Sequence, residues 1–145
     1  MTIEYRKCRD DDLDFLLKLK ELTLKWYVEK IYGWDEKVQR EKTLQELSSH
    51  KEDMRIILCG QKEIGVTTFY EKDGDYVIGL IMIHPEYQGL GIGTEIISGY
   101  KSIAQKEQKR LLIKTYKHNP ARKLYEKSGF KVYNEDNTHV YLCIE

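Results

Sequence analysis

Glycine is dense in one short stretch, His84-Pro85-Glu86-Tyr87-Gln88-Gly89-Leu90-Gly91-Ile92-Gly93-Thr94, between a strand-like run and a helical one. Glycines let the backbone turn tightly enough for several N–H groups to converge on one point. A helix start at the same place adds about half a positive charge, so the guest expected here is a phosphate. A dinucleotide fingerprint would need a glycine where Thr94 stands, and a P-loop would need lysine and then serine or threonine after its last glycine. Neither is present; the bland alternative is a tight strand-to-helix turn without a ligand. Downstream, Lys101 to Lys131 holds ten basic residues against Glu107 and Glu126, a local balance of +8 hidden in a chain whose 24 basic and 24 acidic side chains cancel as a whole. Such a run is either a pair of solvated helix faces or a landing surface for a multiply charged anion.

The glycine segment matches Gln-x-x-Gly-x-Gly, the pyrophosphate-binding signature of the GNAT superfamily of N-acetyltransferases, at Gln88, Gly91 and Gly93. Asn119-Pro120-Ala121-Arg122-Lys123-Leu124-Tyr125-Glu126-Lys127-Ser128-Gly129-Phe130 resembles the later motif of that superfamily, and the two stand in the family's order. The resemblance implies acetyl-CoA as co-substrate, with pantetheine in a gap where the fourth and fifth strands splay apart. It implies that the backbone N–H near Ile83 or His84 holds the thioester oxygen, a preorganised contribution of about 3–4 kcal/mol in other acyl-transfer sites. Gln88, Gly89, Gly91, Ile92, Gly93 and Thr94 would wrap the pyrophosphate, Asn119 would bond pantetheine, and Arg122 would meet phosphate charge. Tyr125 matches the family's usual general acid, donating to the departing sulfur. Its alternative role is a packed aromatic beside Leu124.

An alkyl amine near pKa 10.4 is almost wholly protonated at neutral pH, so a base must act before it can attack. Relatives with a similar loop carry glutamate late on the fourth strand, at the position of Met82, and that carboxylate is absent here. Glu71, His84, His118, His139 and a water chain are the substitutes. In this superfamily acceptor-binding residues come from the first two helices and their joint, which here offer Tyr27, Glu29, Tyr32, Trp34, Asp35 and Glu36. Aromatic rings beside carboxylates suit a cationic amine. The alternative reading makes Tyr27 helix core and Asp35 a helix cap.

These residues must be held by a particular series of elements. Ile3 to Cys8 reads as a strand, and Asp10, Asp11 and Asp12 cap and charge the start of a helix. Its apolar residues, Leu13, Leu16, Leu17, Leu24, Tyr27, Val28 and Ile31, recur at helical spacing until Gly33. Trp34, Asp35 and Glu36 open a weaker helix with Val38, Leu44 and Leu47 as apolar positions. Arg55 to Cys59, Ile64 to Glu71 and Tyr76 to His84 form an antiparallel meander around the turns at 60–62 and 73–75. A helix from about Gly91 to Gln108 presents Ile92, Ile96, Ile97, Tyr100, Ile103 and Ala104, and leads to the strand Leu111 to Tyr116, parallel to the one before the helix. Pro120 and Gly129 bracket a short helix from Ala121 to Lys127. Lys131 to Tyr133 and His139 to Ile144 close the chain as a hairpin. The expected fold is α+β, a single GNAT-like domain over residues 1–145, with a mixed, mostly antiparallel sheet of about seven strands flanked by four helices.

At 145 residues the chain can bury roughly two-thirds of its extended surface without staples. The absence of an overall basic excess disfavours coating of nucleic acid. The longest apolar run, Val77 to Ile83, falls far short of the roughly 20 residues that span a bilayer. Residues 1–20 lack the apolar core of a signal peptide, so the expected location is the cytoplasm, away from the membrane. Cys8, Cys59 and Cys143 fit neither a disulfide framework nor a zinc site and read as buried thiols, with no metal expected. The expected activity is acetyl transfer from acetyl-CoA to a primary amine of a small molecule or peptide by direct attack on the thioester. The partner is that amine, with a second copy of the chain as a further option, and the alternative is a non-catalytic acyl-CoA-binding regulatory module.

Overall fold

The computed structural model describes residues 2–145. The chain forms seven strands, β1 (Ile3–Lys7), β2 (Met54–Cys59), β3 (Lys62–Lys72), β4 (Asp75–Ile83), β5 (Leu111–Tyr116), β6 (Lys131–Glu135) and β7 (His139–Ile144). Four α-helices, α1 (Leu13–Tyr32), α2 (Glu36–His50), α3 (Ile92–Lys106) and α4 (Ala121–Lys127), lie between them in chain order. The strands follow the order β1-β2-β3-β4-β5-β7-β6, antiparallel except for the parallel neighbours β4 and β5. This is the α+β architecture that the element order predicts. No helix among the described residues is long and apolar enough to cross a membrane.

The described residues group into two compact units, one containing residues 2–68 with Leu80–Gln88, the other containing Phe69–Gly79 with Gly89–Glu145. In the first unit β1 and β2 pair from Ile3–Cys59 to Lys7–Arg55, and α1 packs its Leu16 and Leu19 with Met54, Ile56, Val66 and Met82. The acidic cluster does not cap α1 as expected. Asp10–Asp12 forms a 3-10 turn, and the buried Asp12 carboxylate accepts the Arg9 N–H at 2.7 Å and pairs with the Arg6 guanidinium.

Helix α2 begins where Asp35 accepts the N–H groups of Lys37 and Val38. Its buried face differs from the expectation. Val38 and Leu44 are 43% and 46% exposed, whereas Gln39, Thr43 and Leu47 are buried. The reason lies on α1: buried Lys20 sends its Nζ to Thr43 Oγ1 at 3.0 Å and to Glu46 Oε1 at 2.8 Å. Thr43 in turn donates to the Gln39 carbonyl, so the polar groups taken out of water satisfy one another. Ile31 and Ile103, expected on apolar helix faces, are likewise exposed.

In the second unit α3 buries Ile92, Ile96, Ile97 and Ala104, the apolar stripe read from its spacing. Leu111, Ile113, Tyr125, Phe130, Val140 and Leu142 complete that unit's buried apolar set. Phe69 stacks on both Tyr76 and Tyr100, with ring centroids 4.9 and 4.1 Å apart. All three cysteines are free, and only Cys8 is buried; Cys59 and Cys143 lie at intermediate exposure, which corrects the expectation of three buried thiols.

Candidate functional site

The parallel ladder between β4 and β5 is short. It runs through Tyr76–Leu111, Val77–Leu112 and Ile78–Ile113 and then stops, although β4 continues to Ile83 and β5 to Tyr116. The next residue of β4, Gly79, is exposed in the middle of its strand, and a glycine in that position leaves the backbone open to close approach.

At the end of β4 the His84 N–H donates to the Ile64 carbonyl at 2.7 Å. This corrects one sequence expectation, because a donor committed to β3 cannot also hold an oxyanion. Antiparallel pairing alternates the direction of successive N–H groups, so the Ile83 N–H points away from β3. The His84 ring accepts the Glu86 N–H on Nδ1 at 3.1 Å, which leaves the proton of the neutral ring on Nε2. In that tautomer His84 presents a donor at Nε2 and no lone pair.

Gln88 follows the Pro85–Tyr87 turn and folds back, its Nε2 donating to the Ile83 carbonyl at 2.9 Å. Its side chain secures the end of β4 instead of reaching forward to phosphate. Two of the three glycines take the left-handed backbone. Gly89 and Gly91 have φ of 75° and 84°, and a Cβ on either would meet nothing within 4 Å, so the left-handed backbone opens onto free space. Gly91 is the N-cap of α3 with no side chain over the helix end, which leaves the first N–H groups of α3 available to an anion. Ile92 is buried, so only its backbone is available to a ligand, while in the same first turn Gly93 is half-buried and Thr94 exposed.

Beyond β5 the Asn119 N–H donates to the Tyr116 carbonyl at 3.0 Å, and Asn119 Oδ1 accepts the Ala121 N–H at 2.9 Å. With the oxygen spent on opening α4, the Asn119 side chain has its Nδ2 left to donate. Arg122 is committed to Glu126 at 2.7 Å, an i,i+4 pair along the exposed face of α4. Tyr125 is 5% exposed and packs edge-on against Phe130 at 6.1 Å. Its hydroxyl makes no hydrogen bond to a described residue, and it is not among the fully enclosed unpartnered oxygens, a state that Thr68 Oγ1 alone holds among the described residues. Burial pushes the phenol well above its ordinary range, so it stays protonated.

The basic run is only partly available for an anion. Lys109 pairs with Glu71, Arg110 with Asp75 and Lys117 with Glu135, while Lys101 donates to the Ser128 carbonyl. Lys109 and Arg110 also line a cavity of about 440 Å³ at the C-terminal end of α3, with Lys101, Leu111 and Glu145. Fifteen residues of helix place that end roughly 22 Å from the Gly91 turn.

Candidate bases separate in the same way. Glu71 is ion-paired beside the turn that begins β4, at the opposite end of that strand from Ile83. Met82 is 4% exposed within an apolar cluster, and His118 is exposed. His139 is half-buried at the start of β7, stacked on Tyr116 with ring centroids 4.4 Å apart.

The residues expected to bind the acceptor are largely engaged with their own unit. Asp35 caps α2, the Trp34 indole N–H donates to Glu36 at 2.9 Å, and Glu29 is exposed. Lys30 lies 3.8 Å over the Trp26 ring, Lys25 5.9 Å over Trp34 and Lys42 5.8 Å over Tyr32, so the aromatic faces already carry cations of the chain itself. Tyr27 is half-buried, its phenol raised by burial, with its ring edge-on to Trp26.

The family described as the Acetyltransferase (GNAT) domain matches residues 51–132, which span β2 through the start of β6. No curated protein matches the sequence. Among solved structures, the PaiA N-acetyltransferase of Thermoplasma acidophilum in complex with coenzyme A is similar at 19% identity and a TM-score of 0.73, over 100% of this chain and 99% of that one. An acetyltransferase of Thermus thermophilus is similar at 17% identity and a TM-score of 0.76, over 99% and 97%. The ribosomal-protein-S18-alanine N-acetyltransferase of Escherichia coli is similar at 15% identity and a TM-score of 0.70, over 99% and 93%. At these identities the likeness is one of fold.

Proposed function

The chain belongs to the GNAT acetyltransferase family, and on that footing we propose that it transfers an acetyl group from acetyl-CoA to a primary amine by direct attack of the amine on the thioester. The observation that carries this reading is the turn at the start of α3. Two left-handed glycines open onto free space at an uncovered helix N-terminus, the arrangement a pyrophosphate requires. Asn119 supports it, since its Oδ1 is already bonded to Ala121 and its Nδ2 is left for a pantetheine carbonyl.

In this reading the Ile83 N–H is the donor to the thioester oxygen, whose negative charge grows as the amine adds. Tyr125 supplies a proton to the departing sulfur. Its burial makes it a weak acid, so its contribution is a hydrogen bond that strengthens as charge builds on sulfur. The phosphate charge falls to the α3 N-terminus, because Arg122 is tied to Glu126. Aromatic rings near the joint of α1 and α2 suit an amine only by exchange with the lysines that cover them.

A second reading, an acyl-CoA-binding module without turnover, draws on Met82, which fills an apolar cluster where relatives with a similar loop carry glutamate. Thiol release from acetyl-CoA separates the two when measured across amino acids, polyamines, aminoglycosides and peptides. Release accelerated by an amine supports the transferase. Calorimetric binding of CoA with no amine-dependent release across the panel supports the module.

A further inference from the structure

Strand alternation in the second unit divides two sets of side chains. Leu111, Ile113, Thr115, Val140 and Leu142 are buried, whereas Leu112, Lys114, Tyr116, His139, Tyr141 and Cys143 are half-buried or exposed on the opposite face. Tyr116 and His139 are register partners, and the Tyr116 carbonyl accepts the Asn119 N–H. The imidazole therefore sits at the end of β5 from which the Asn119 turn departs.

Its orientation follows from counting protons. His139 Nδ1 lies 2.7 Å from Thr138 Oγ1, and that oxygen lies 3.2 Å from Asp136 Oδ1. A threonine hydroxyl has one proton to give. Given to the imidazole, it would leave two oxygens facing each other at 3.2 Å with nothing between them. Given to the carboxylate, it makes a charge-assisted bond and leaves the hydroxyl oxygen to accept an Nδ1–H. Asp136 is held ionised, well below the usual carboxylate range, by the Tyr141 hydroxyl and by the N–H groups of His139 and Thr138. The favoured neutral tautomer thus carries its proton on Nδ1. Nε2, which makes no hydrogen bond to a described residue, keeps its lone pair.

We propose that His139 Nε2 takes the proton from the acceptor amine, with Thr138 and Asp136 as the positioning residues that fix its tautomer. The inference rests on the acetyltransferase reading above. One proton of the ammonium passes to Nε2 and on to bulk water. The nitrogen lone pair then forms the C–N bond at the thioester carbonyl and the C–S bond breaks. A second proton leaves nitrogen as the amide forms and balances the one gained by sulfur, so one proton is released per turnover. The charged groups around the ring are Lys114 on β5, Lys117 beyond it paired with Glu135 of β6, and Asp136 in the hairpin. Burial and Lys114 lower the imidazole below its ordinary range while Asp136 opposes them, and the ring stays neutral at pH 7.

His139→Gln is expected to lower kcat/KM by about 10²-fold and to remove the imidazole's inflection from the acid side of the pH profile, leaving CoA affinity by calorimetry unchanged. Thr138→Val retains the imidazole and frees its tautomer, so its kcat/KM should fall severalfold. Nitrogen-15 NMR of the histidine rings should show Nδ1–H in the wild-type protein and a mixture in Thr138→Val. Activity of His139→Gln within about threefold of wild type, an acid-side inflection unchanged in that variant, or a wild-type ring protonated on Nε2 would overturn the proposal. If His139→Gln does not fold, Thr138→Val and the spectrum decide. A wild-type protein that transfers acetyl to no amine removes the acetyltransferase reading itself, which is a different result from an active wild type with an unimpaired His139→Gln.

Discussion

A Cβ on Gly65 would stand 2.5 Å from the backbone carbonyl oxygen of Met82, closer than side-chain carbons approach a backbone oxygen, and 3.2 Å from Ile57 Cδ1. Only glycine lets β3 and β4 come together here, one residue before the Ile83 N–H assigned to the thioester oxygen. Gly65→Ala must move β4 at that point. The expected cost is about 1–3 kcal/mol of stability by urea denaturation, as for other overpacked sites. A fall in kcat should accompany it, with acetyl-CoA KM little changed. A variant unaltered in both would mean that β4 shifts freely and that this contact positions nothing.

Gly91 needs its left-handed backbone and faces open space. Gly91→Glu strains that turn and brings a carboxylate to the helix end where phosphate charge is expected. CoA affinity should drop by more than about tenfold in a protein that still melts cooperatively, as measured by calorimetry. Unchanged affinity would take this turn out of the site.

Tyr125→Phe retains the ring packed against Phe130 and removes only the hydroxyl. Because burial raises the phenol, its acid assistance should lie at the low end of the usual range, a loss of about 10²-fold in kcat with acetyl-CoA KM nearly constant. The raised value also fixes a sign: the phenol stays protonated through pH 9–10, so it adds no alkaline limb there. Steady-state kinetics on the accepted amine would test both; undiminished kcat would return Tyr125 to a purely packing role.

Burial, with Asp12 nearby, pushes the Cys8 thiol from 9.0 up to about 11. The protonated thiol favours the folded state, so this contribution is complete below pH 9 and is lost as pH rises through 11. Thiol-specific labelling of the native protein at pH 8, read by mass spectrometry, should mark the half-exposed Cys59 and Cys143 well before Cys8. Equal rates at all three would show that β1 opens readily.

The order of elements was legible because the chain punctuates itself. Gly33, Asp35, the 60–62 and 73–75 turns, Pro120 and Gly129 stand within a residue or two of observed boundaries. The backbone part of the site was legible for the same reason, since glycines announce positive φ. Side-chain commitments were harder to read. Gln88 bonds the Ile83 carbonyl, and nothing local indicates that reversal. The Arg122–Glu126 pair was readable as an i,i+4 match of opposite charges. The buried face of α2 was hidden because its partner, Lys20, lies on another helix. The orientation of His139 depends on Asp136 and Thr138 just before it, a short turn whose residue types were the available signal.

The polar inner face of α2 bears on how such a chain can diversify. An apolar seam tolerates sliding, because one aliphatic contact substitutes for another. Lys20, Thr43 and Gln39 meet through directional bonds that a slip of one residue would break, leaving a buried ammonium group without its acceptors. Helix α2 therefore has a single seat on α1. Around that fixed seat, exposed joint residues such as Tyr32 and Glu36 are free to vary without moving the helices they connect. Selection for a new acceptor can then act at the joint, one substitution at a time, with the frame of the fold left in place.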